Sequence, residues 1–233
     1  MKVFLSADKL HSQPSHLTVV QVERPWFESR CPRTEHNAGL KRAFDVTASL
    51  CVLPLVLLLL GVCALAIRLD SEGPIFFRQS RTGRGGKRFA MLKLRTMRKD
   101  AEAMKAKLLH LNTLRYPDFK IKDDPRITRV GYILRKTSLD ELPQVLNVLR
   151  GDMSWVGPRP TSFDSSTYSL WHTARLEAKP GITGLWQVSG RNELQFDDRV
   201  RLDIAYCRNR SIWLDMQILL RTVSAVITAR GAN

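Results

Sequence analysis

Hydrophobic and polar residues are interleaved along most of the chain, but from Val46 to Ile67 (VTASLCVLPLVLLLLGVCALAI) there is no charged residue. Such a run is long enough to cross the ~30 Å hydrocarbon core of a bilayer as a helix. It begins well inside the chain and lacks the short basic lead of a cleaved signal peptide, so it reads as a retained anchor. Pro54 interrupts it, removing a backbone donor and crowding the preceding turn at a cost of about 3 kcal/mol, which predicts two shorter helices meeting near residue 54. Lys41 and Arg42 precede the run, and Arg68, Arg78, Arg81, Arg84, Lys87 and Arg88 follow it. The positive-inside bias therefore asks both flanks to stay on the cytoplasmic side. A helix-break-helix that enters one leaflet and returns satisfies that demand, and a kinked single crossing is the other solution.

Beyond the anchor, PIFFRQS (74–80) and RFAMLKL (88–94) are apolar runs separated by TGRGGK, the pattern of a β-hairpin with a basic tip. Residues 100–115 combine helix formers with acidic residues early and basic ones late, so a helix is expected there, closed by Tyr116-Pro117. A second helix is expected over residues 139–149. A third, over 213–228, places Met216, Leu219, Leu220, Val223 and Ile227 on one face, to pack on the core or lie on a membrane surface. The expected fold is α+β and mainly helical: a loose extension (1–39), a proline-broken re-entrant membrane helix (40–68) and a compact cytoplasmic domain (69–233).

Composition sharpens this. With 44% hydrophobic and 25% charged residues the chain can bury a core, which disfavours disorder and a multi-pass membrane protein. The 37 Lys+Arg against 22 Asp+Glu give +15 and call for a polyanionic partner. The excess is concentrated between Arg68 and Lys136, with 19 basic residues against 7 acidic ones, next to the anchor and well placed for anionic head groups. A membrane-anchored binder of nucleic acid or anionic lipid would share this charge, but no reading helix or interleaved aromatic platform favours nucleic acid. Cys51 and Cys63 lie in the apolar run, Cys31 and Cys207 stand alone, and the histidines are scattered, so neither a disulfide frame nor a metal cluster is expected.

Candidate chemistry is densest at KTSLDELPQ (136–144), where Asp140 and Glu141 are adjacent and preceded by Arg135 and Lys136. An ionised Asp there can act as a nucleophile or a hard-metal ligand. Ser138-x-x-Glu141 also has the form of a helix-capping box, although Pro143 would be more comfortable at the first position of a later helix. Lys93 and Arg95 alternate onto one face of a strand in KLRTM (93–97). Arg159 sits between two prolines in SWVGPRPT (154–161), a setting suited to gripping phosphate. KPGITGLWQVSGR (179–191), with Gln187 and Arg191, could close over a nucleotide. TGRGGKR is a simple turn and not a phosphate loop, since Arg88 stands where Ser or Thr is required.

Taken in order, KRAFD, GPIFFRQSRTGRGGKRFAMLKLRTM, DDPRITRVGYILRKTSLDELPQVLNVLRGDMSWVGPRP, KPGITGLWQVSGR and LDIAY resemble the bacterial sugar transferase family, the small monotopic phosphoglycosyl transferases. The resemblance covers Leu40 to about Ala232. It implies transfer of a sugar 1-phosphate from a nucleoside-diphosphate sugar, UDP-galactose or UDP-glucose, to undecaprenyl phosphate at the start of exopolysaccharide synthesis. It assigns Asp140 as nucleophile, Glu141 as its support with Mg2+ as cofactor at the pair, and Lys93, Arg95 and Arg159 as phosphate ligands. It also implies a helix break at Pro54 and a catalytic domain on the cytoplasmic side of the inner membrane. Many members carry Ser before that proline; here Leu53 offers no hydroxyl.

Overall fold

The computed structural model describes residues 38–112, 121–189 and 194–227. Helix α1, Ala38–Asp70, is 33 residues long and contains Pro54. The expected separation into two helices does not occur: helical structure continues through the proline, although its ring has no N–H to donate. The buried positions of α1 are Asp45, Ser49, Val56, Leu60, Cys63 and Ile67, and the three- and four-residue steps among them form one stripe. Its apolar part packs with Leu94, Leu134 and Val145 into the main core. On the other side Leu50, Leu55, Leu57, Leu58, Val62, Leu65 and Leu69 are exposed. Only 22% of the most apolar stretch is buried, too little for the core helix of a water-soluble domain.

The hairpin forms as its sequence predicts. Strand β1 (Phe76–Thr82) pairs antiparallel with β2 (Arg88–Leu94), with Phe77 opposite Lys93, Gln79 opposite Met91 and Arg81 opposite Phe89. The helix expected over 100–115 is instead a short α2 (Ala101–Lys105) followed by a 3-10 segment (Ala106–Leu111), and residues 113–120 lie outside the described residues. Helix α3 (Arg129–Thr137) starts at Thr128, whose side chain accepts from the Gly131 backbone N–H, and a 3-10 turn (Leu139–Glu141) and α4 (Gln144–Arg150) follow. The single helix expected over 139–149 is divided at Pro143, where a ring without an N–H is tolerated.

Strands β3 (Ser154–Val156) and β4 (Gly181–Thr183) form a separate two-stranded parallel pair. Their backbones approach so closely that a Cβ on Gly157 would stand 2.2 Å from the Lys179 carbonyl. After the 3-10 helix Leu170–Glu177 come α5 (Leu185–Ser189), α6 (Phe196–Asn209) and α7 (Ile212–Ile227). Helix α7 occupies the expected span and divides the expected apolar face, with Leu219 packed against the cluster of Val156, Tyr206 and Ile218. Asp215 and Ile218 face the protein, while Met216, Leu220 and Val223 of the expected apolar face are exposed.

Polar contacts pin both ends of α1 to the same domain. At the N-terminal end Asp45 Oδ1 accepts from Lys41 Nζ (3.1 Å), Ser154 Oγ (3.1 Å) and the Trp155 backbone N–H (3.2 Å). Lys41 also pairs with Asp215 at 2.8 Å, and Arg42 donates to the Val148 and Leu149 carbonyls at 2.5 and 2.6 Å. At the C-terminal end Arg95 donates to the carbonyls of Ser71 and Glu72, and Asp70 Oδ2 accepts from the Val130 backbone N–H.

Removing the buried Asp45 carboxylate leaves Ser154 Oγ and the Trp155 backbone N–H without their acceptor and Lys41 with Asp215 alone. Asp45→Ala is therefore expected to lower stability by about 3 kcal/mol, read as a fall in the thermal midpoint of the detergent-solubilised protein. Asp45→Asn, which still accepts from Ser154 and Trp155, should lose less.

Candidate active site

The turn carrying Asp140 and Glu141 is shaped by what lies on either side. Helix α3 ends at Ser138, which adopts a left-handed conformation (φ 59°) and reverses the chain. Leu139 and Leu142 then pack against the core shared with α1, and the two carboxylates between them are turned towards the hairpin and the 157–161 loop. The Ser138 side chain makes no capping bond, and Glu141 reaches away from it, so the capping-box reading does not hold. Asn147 on α4 secures the hairpin edge: its Oδ1 accepts from the Leu92 backbone N–H (2.9 Å) and its Nδ2 donates to the Ala90 carbonyl (2.8 Å). This fixes the neighbouring Lys93 relative to the turn.

Glu141 is gripped from two sides. Arg159 Nη2 donates to its Oε1 at 2.6 Å, and Lys93 Nζ donates to the same oxygen at 3.1 Å. Burial alone would raise the Glu141 pKa, but Arg159 and Lys93 together hold it well below the usual carboxylate range. Asp140 has a looser environment, with Lys93 Nζ 3.6 Å from Oδ2. Burial raises its pKa and the Glu141 charge adds to the rise, while Lys93, Arg135 and Arg159 oppose it. The adjacent carboxylates are thus driven apart, one fixed as an ion-paired anion and the other more basic than an ordinary Asp.

Arg159 is itself supported from behind. Buried Arg175 donates to the Arg159 carbonyl at 2.7 Å and also binds the Asp203 carboxylate on α6. Burial pushes the Asp203 pKa up to about 6 despite the Arg175 charge. Arg135 donates from Nε to Thr96 Oγ1 at 2.9 Å and lies close enough to Asp140 to feel its charge. Arg81, from β1, donates to Gln79 Oε1 and to the Pro160 carbonyl. Its pKa is pushed down to about 10, by burial first and then by the neighbouring Arg159.

Of the residues expected from sequence, Asp140, Glu141, Lys93 and Arg159 meet. Arg95 does not join them: β2 ends at Leu94, so the strand alternation that would align Arg95 with Lys93 stops one residue short, and its guanidinium secures the exit of α1. Gln187 is buried in α5, where Nε2 donates to the Ile182 carbonyl, and Arg191 lies outside the described residues. Arg81, Arg135 and Arg175 were not among the expected site residues. Cross-strand pairing is the signal that would have exposed Arg81, because it places Phe77, Gln79 and Arg81 on the same face as Lys93.

A family model for bacterial sugar transferases matches residues 36–229. The chain belongs to the bacterial sugar transferase family. The chain is 47% identical over 199 residues to the galactosyl transferase CpsE of Streptococcus agalactiae serotype III, covering 83% of this chain and 43% of that one. It is 45% identical over 206 residues to a UDP-glucose:undecaprenyl-phosphate glucose-1-phosphate transferase of Caulobacter vibrioides, covering 82% and 71%. It is also 40% identical over 201 residues to the exopolysaccharide production protein ExoY of Sinorhizobium fredii, covering 82% and 87%. The chain thus spans less than half of CpsE and most of the other two relatives.

Of the cations around Asp140, Lys93 opposes the rise in its pKa most strongly. Lys93→Met should raise that pKa further, so Asp140 would take up its proton at higher pH. The acid limb of the rate profile is expected to move upward relative to wild type in steady-state assays across pH; an unmoved limb would show that Asp140 does not control it.

Proposed function

We propose that this chain moves a sugar 1-phosphate from UDP-galactose or UDP-glucose to undecaprenyl phosphate through a covalent intermediate on Asp140. One observation carries the reading: of two buried neighbouring carboxylates, only Glu141 is committed to close cation pairs, leaving Asp140 available and unusually basic. The names of the relatives support the chemistry, since one includes galactosyl transfer and another glucose-1-phosphate transfer to undecaprenyl phosphate.

In the first step an Asp140 oxygen attacks the phosphorus nearer the sugar. The bond from that phosphorus to the bridging oxygen breaks, its electron pair leaves with UMP, and a mixed anhydride joins Asp140 to the sugar phosphate. In the second step an oxygen of undecaprenyl phosphate attacks the same phosphorus and Asp140 departs as a carboxylate, giving undecaprenyl diphosphate sugar. Neither step requires net proton transfer. Lys93 and Arg159, held by Glu141, are positioned to stabilise charge accumulating on the phosphoryl oxygens.

Among the described residues no cluster of three or more His, Cys, Asp or Glu side chains could hold a metal unaided. Two adjacent carboxylates completed by substrate phosphate and water nevertheless form the oxygen set that suits Mg2+. We assign Asp140 and Glu141 as its protein ligands, where the ion would offset diphosphate charge.

We place the catalytic domain on the cytoplasmic face of the inner membrane, with the leucine face of α1 in the lipid. A helix of 33 residues is roughly 50 Å long. With both of its ends tied to one domain, a straight crossing would have to break the contacts of Asp45 or of Asp70. The basic flanks favour the same side.

Asp140→Asn is expected to abolish UMP release from UDP-galactose and UDP-glucose in the absence of undecaprenyl phosphate, whereas wild type releases about one equivalent. Continued release by the variant would remove Asp140 from the nucleophile's role. For topology, Leu40→Cys and Leu69→Cys in a cysteine-free background should both resist membrane-impermeant thiol reagent in intact cells and react after permeabilisation. Labelling of only one before permeabilisation would indicate a crossing.

A further inference from the structure

The cations around the carboxylate pair are committed to different degrees. Lys93 and Arg159 are bound to Glu141, while Arg135 and Arg81 have no carboxylate within ion-pairing distance among the described residues. Arg135 lies close enough to Asp140 to feel its charge, whereas Arg81, on the same hairpin face as Lys93, reaches the carbonyl of Pro160, the residue after Arg159. Gln79 Oε1 accepts from Arg81 Nε at 3.0 Å and Nη2 at 2.6 Å, fixing one edge of the guanidinium, while Nη1 reaches the Pro160 carbonyl at 3.3 Å. A neutral amide thus orients a half-buried cation without cancelling its charge.

We propose that Arg81 binds the leaving phosphate, the one distal to the sugar, and carries the charge that develops there. The proposal rests on the two-step reading above. When the bond to the bridging oxygen breaks, that oxygen becomes a terminal oxygen of UMP and the leaving group gains negative charge. Lys93 and Arg159 face both carboxylates and only balance them, so the charge added on the leaving group calls for a further cation. Arg81, which has no carboxylate partner among the described residues and is tied to the loop that carries Arg159, meets that requirement.

The test is calorimetric binding of UMP to the full-length detergent-solubilised protein, a readout independent of turnover. Arg81→Met is expected to weaken binding roughly ten- to a hundredfold, the scale of a lost charge-assisted hydrogen bond. Gln79→Glu keeps the guanidinium and its supporting bonds but pairs its charge, and should weaken UMP binding in the same direction. If Arg81 only braces the Pro160 carbonyl, Gln79→Glu would bind UMP as wild type does, and that result overturns the proposal, as does unchanged binding by a folded Arg81→Met. In wild type, UMP release without undecaprenyl phosphate reports separately on the two-step reading, so failure of the chemistry and failure of the Arg81 assignment are distinguishable.

Discussion

Two carboxylates buried side by side cannot both remain uncompensated, and the arrangement of this site follows from how that conflict is resolved. Glu141 takes the close partners, Arg159 at 2.6 Å and Lys93 at 3.1 Å, and thereby ties together the hairpin, the proline-framed loop and the turn. The ion pairs preset the cations that a diphosphate needs, because side chains held in place before substrate arrives require little reorganisation when charge develops. Asp140 is left with a longer contact, and burial raises its pKa against the opposing cations. The supports behind this arrangement are structural: Asn147 fixes the strand carrying Lys93, and Arg175 fixes the carbonyl of Arg159.

The apolar helix is part of the same arrangement. Val56, Leu60, Cys63 and Ile67 share a core with Leu94, Leu134 and Val145, and Leu139 and Leu142, which bracket the carboxylates, pack against that core. One helix therefore offers leucines outward and supports the turn carrying Asp140 and Glu141 inward. A substitution on its inner stripe would reach that turn through Leu139 and Leu142. The polar contacts of Asp45, Arg42 and Lys41 hold its other end against β3, α4 and α7, so the helix is fixed along its length.

Local patterns that matched a single physical cause were legible in the sequence. The hairpin followed from two apolar strands around a glycine-rich turn, and the ordered motifs singled out Asp140, Glu141, Lys93 and Arg159, assigning the two cations to phosphate without showing that they pair with Glu141. Elsewhere the sequence underdetermined the structure. Alternation aligned Arg95 with Lys93 but could not show that the strand ends at Leu94. Periodicity found α7 without telling which apolar residues face protein, because a lipid-facing stripe and a core-facing stripe have the same spacing. Pro54 predicted an interruption, yet helical structure continues through it. Arg81 was hidden because its relation to Arg159 arises from tertiary contact, and only the hairpin pairing reveals that it shares a face with Lys93.

The central claim is that the sugar phosphate passes through Asp140. It is tested most directly by incubating wild-type protein with UDP-galactose or UDP-glucose alone, quenching rapidly and locating the added mass by peptide sequencing in a mass spectrometer. A hexose phosphate is expected on the peptide spanning residues 137–150, with the modified residue at Asp140. A hexose phosphate on any other side chain, or UMP released stoichiometrically with no modified peptide at all, would contradict it.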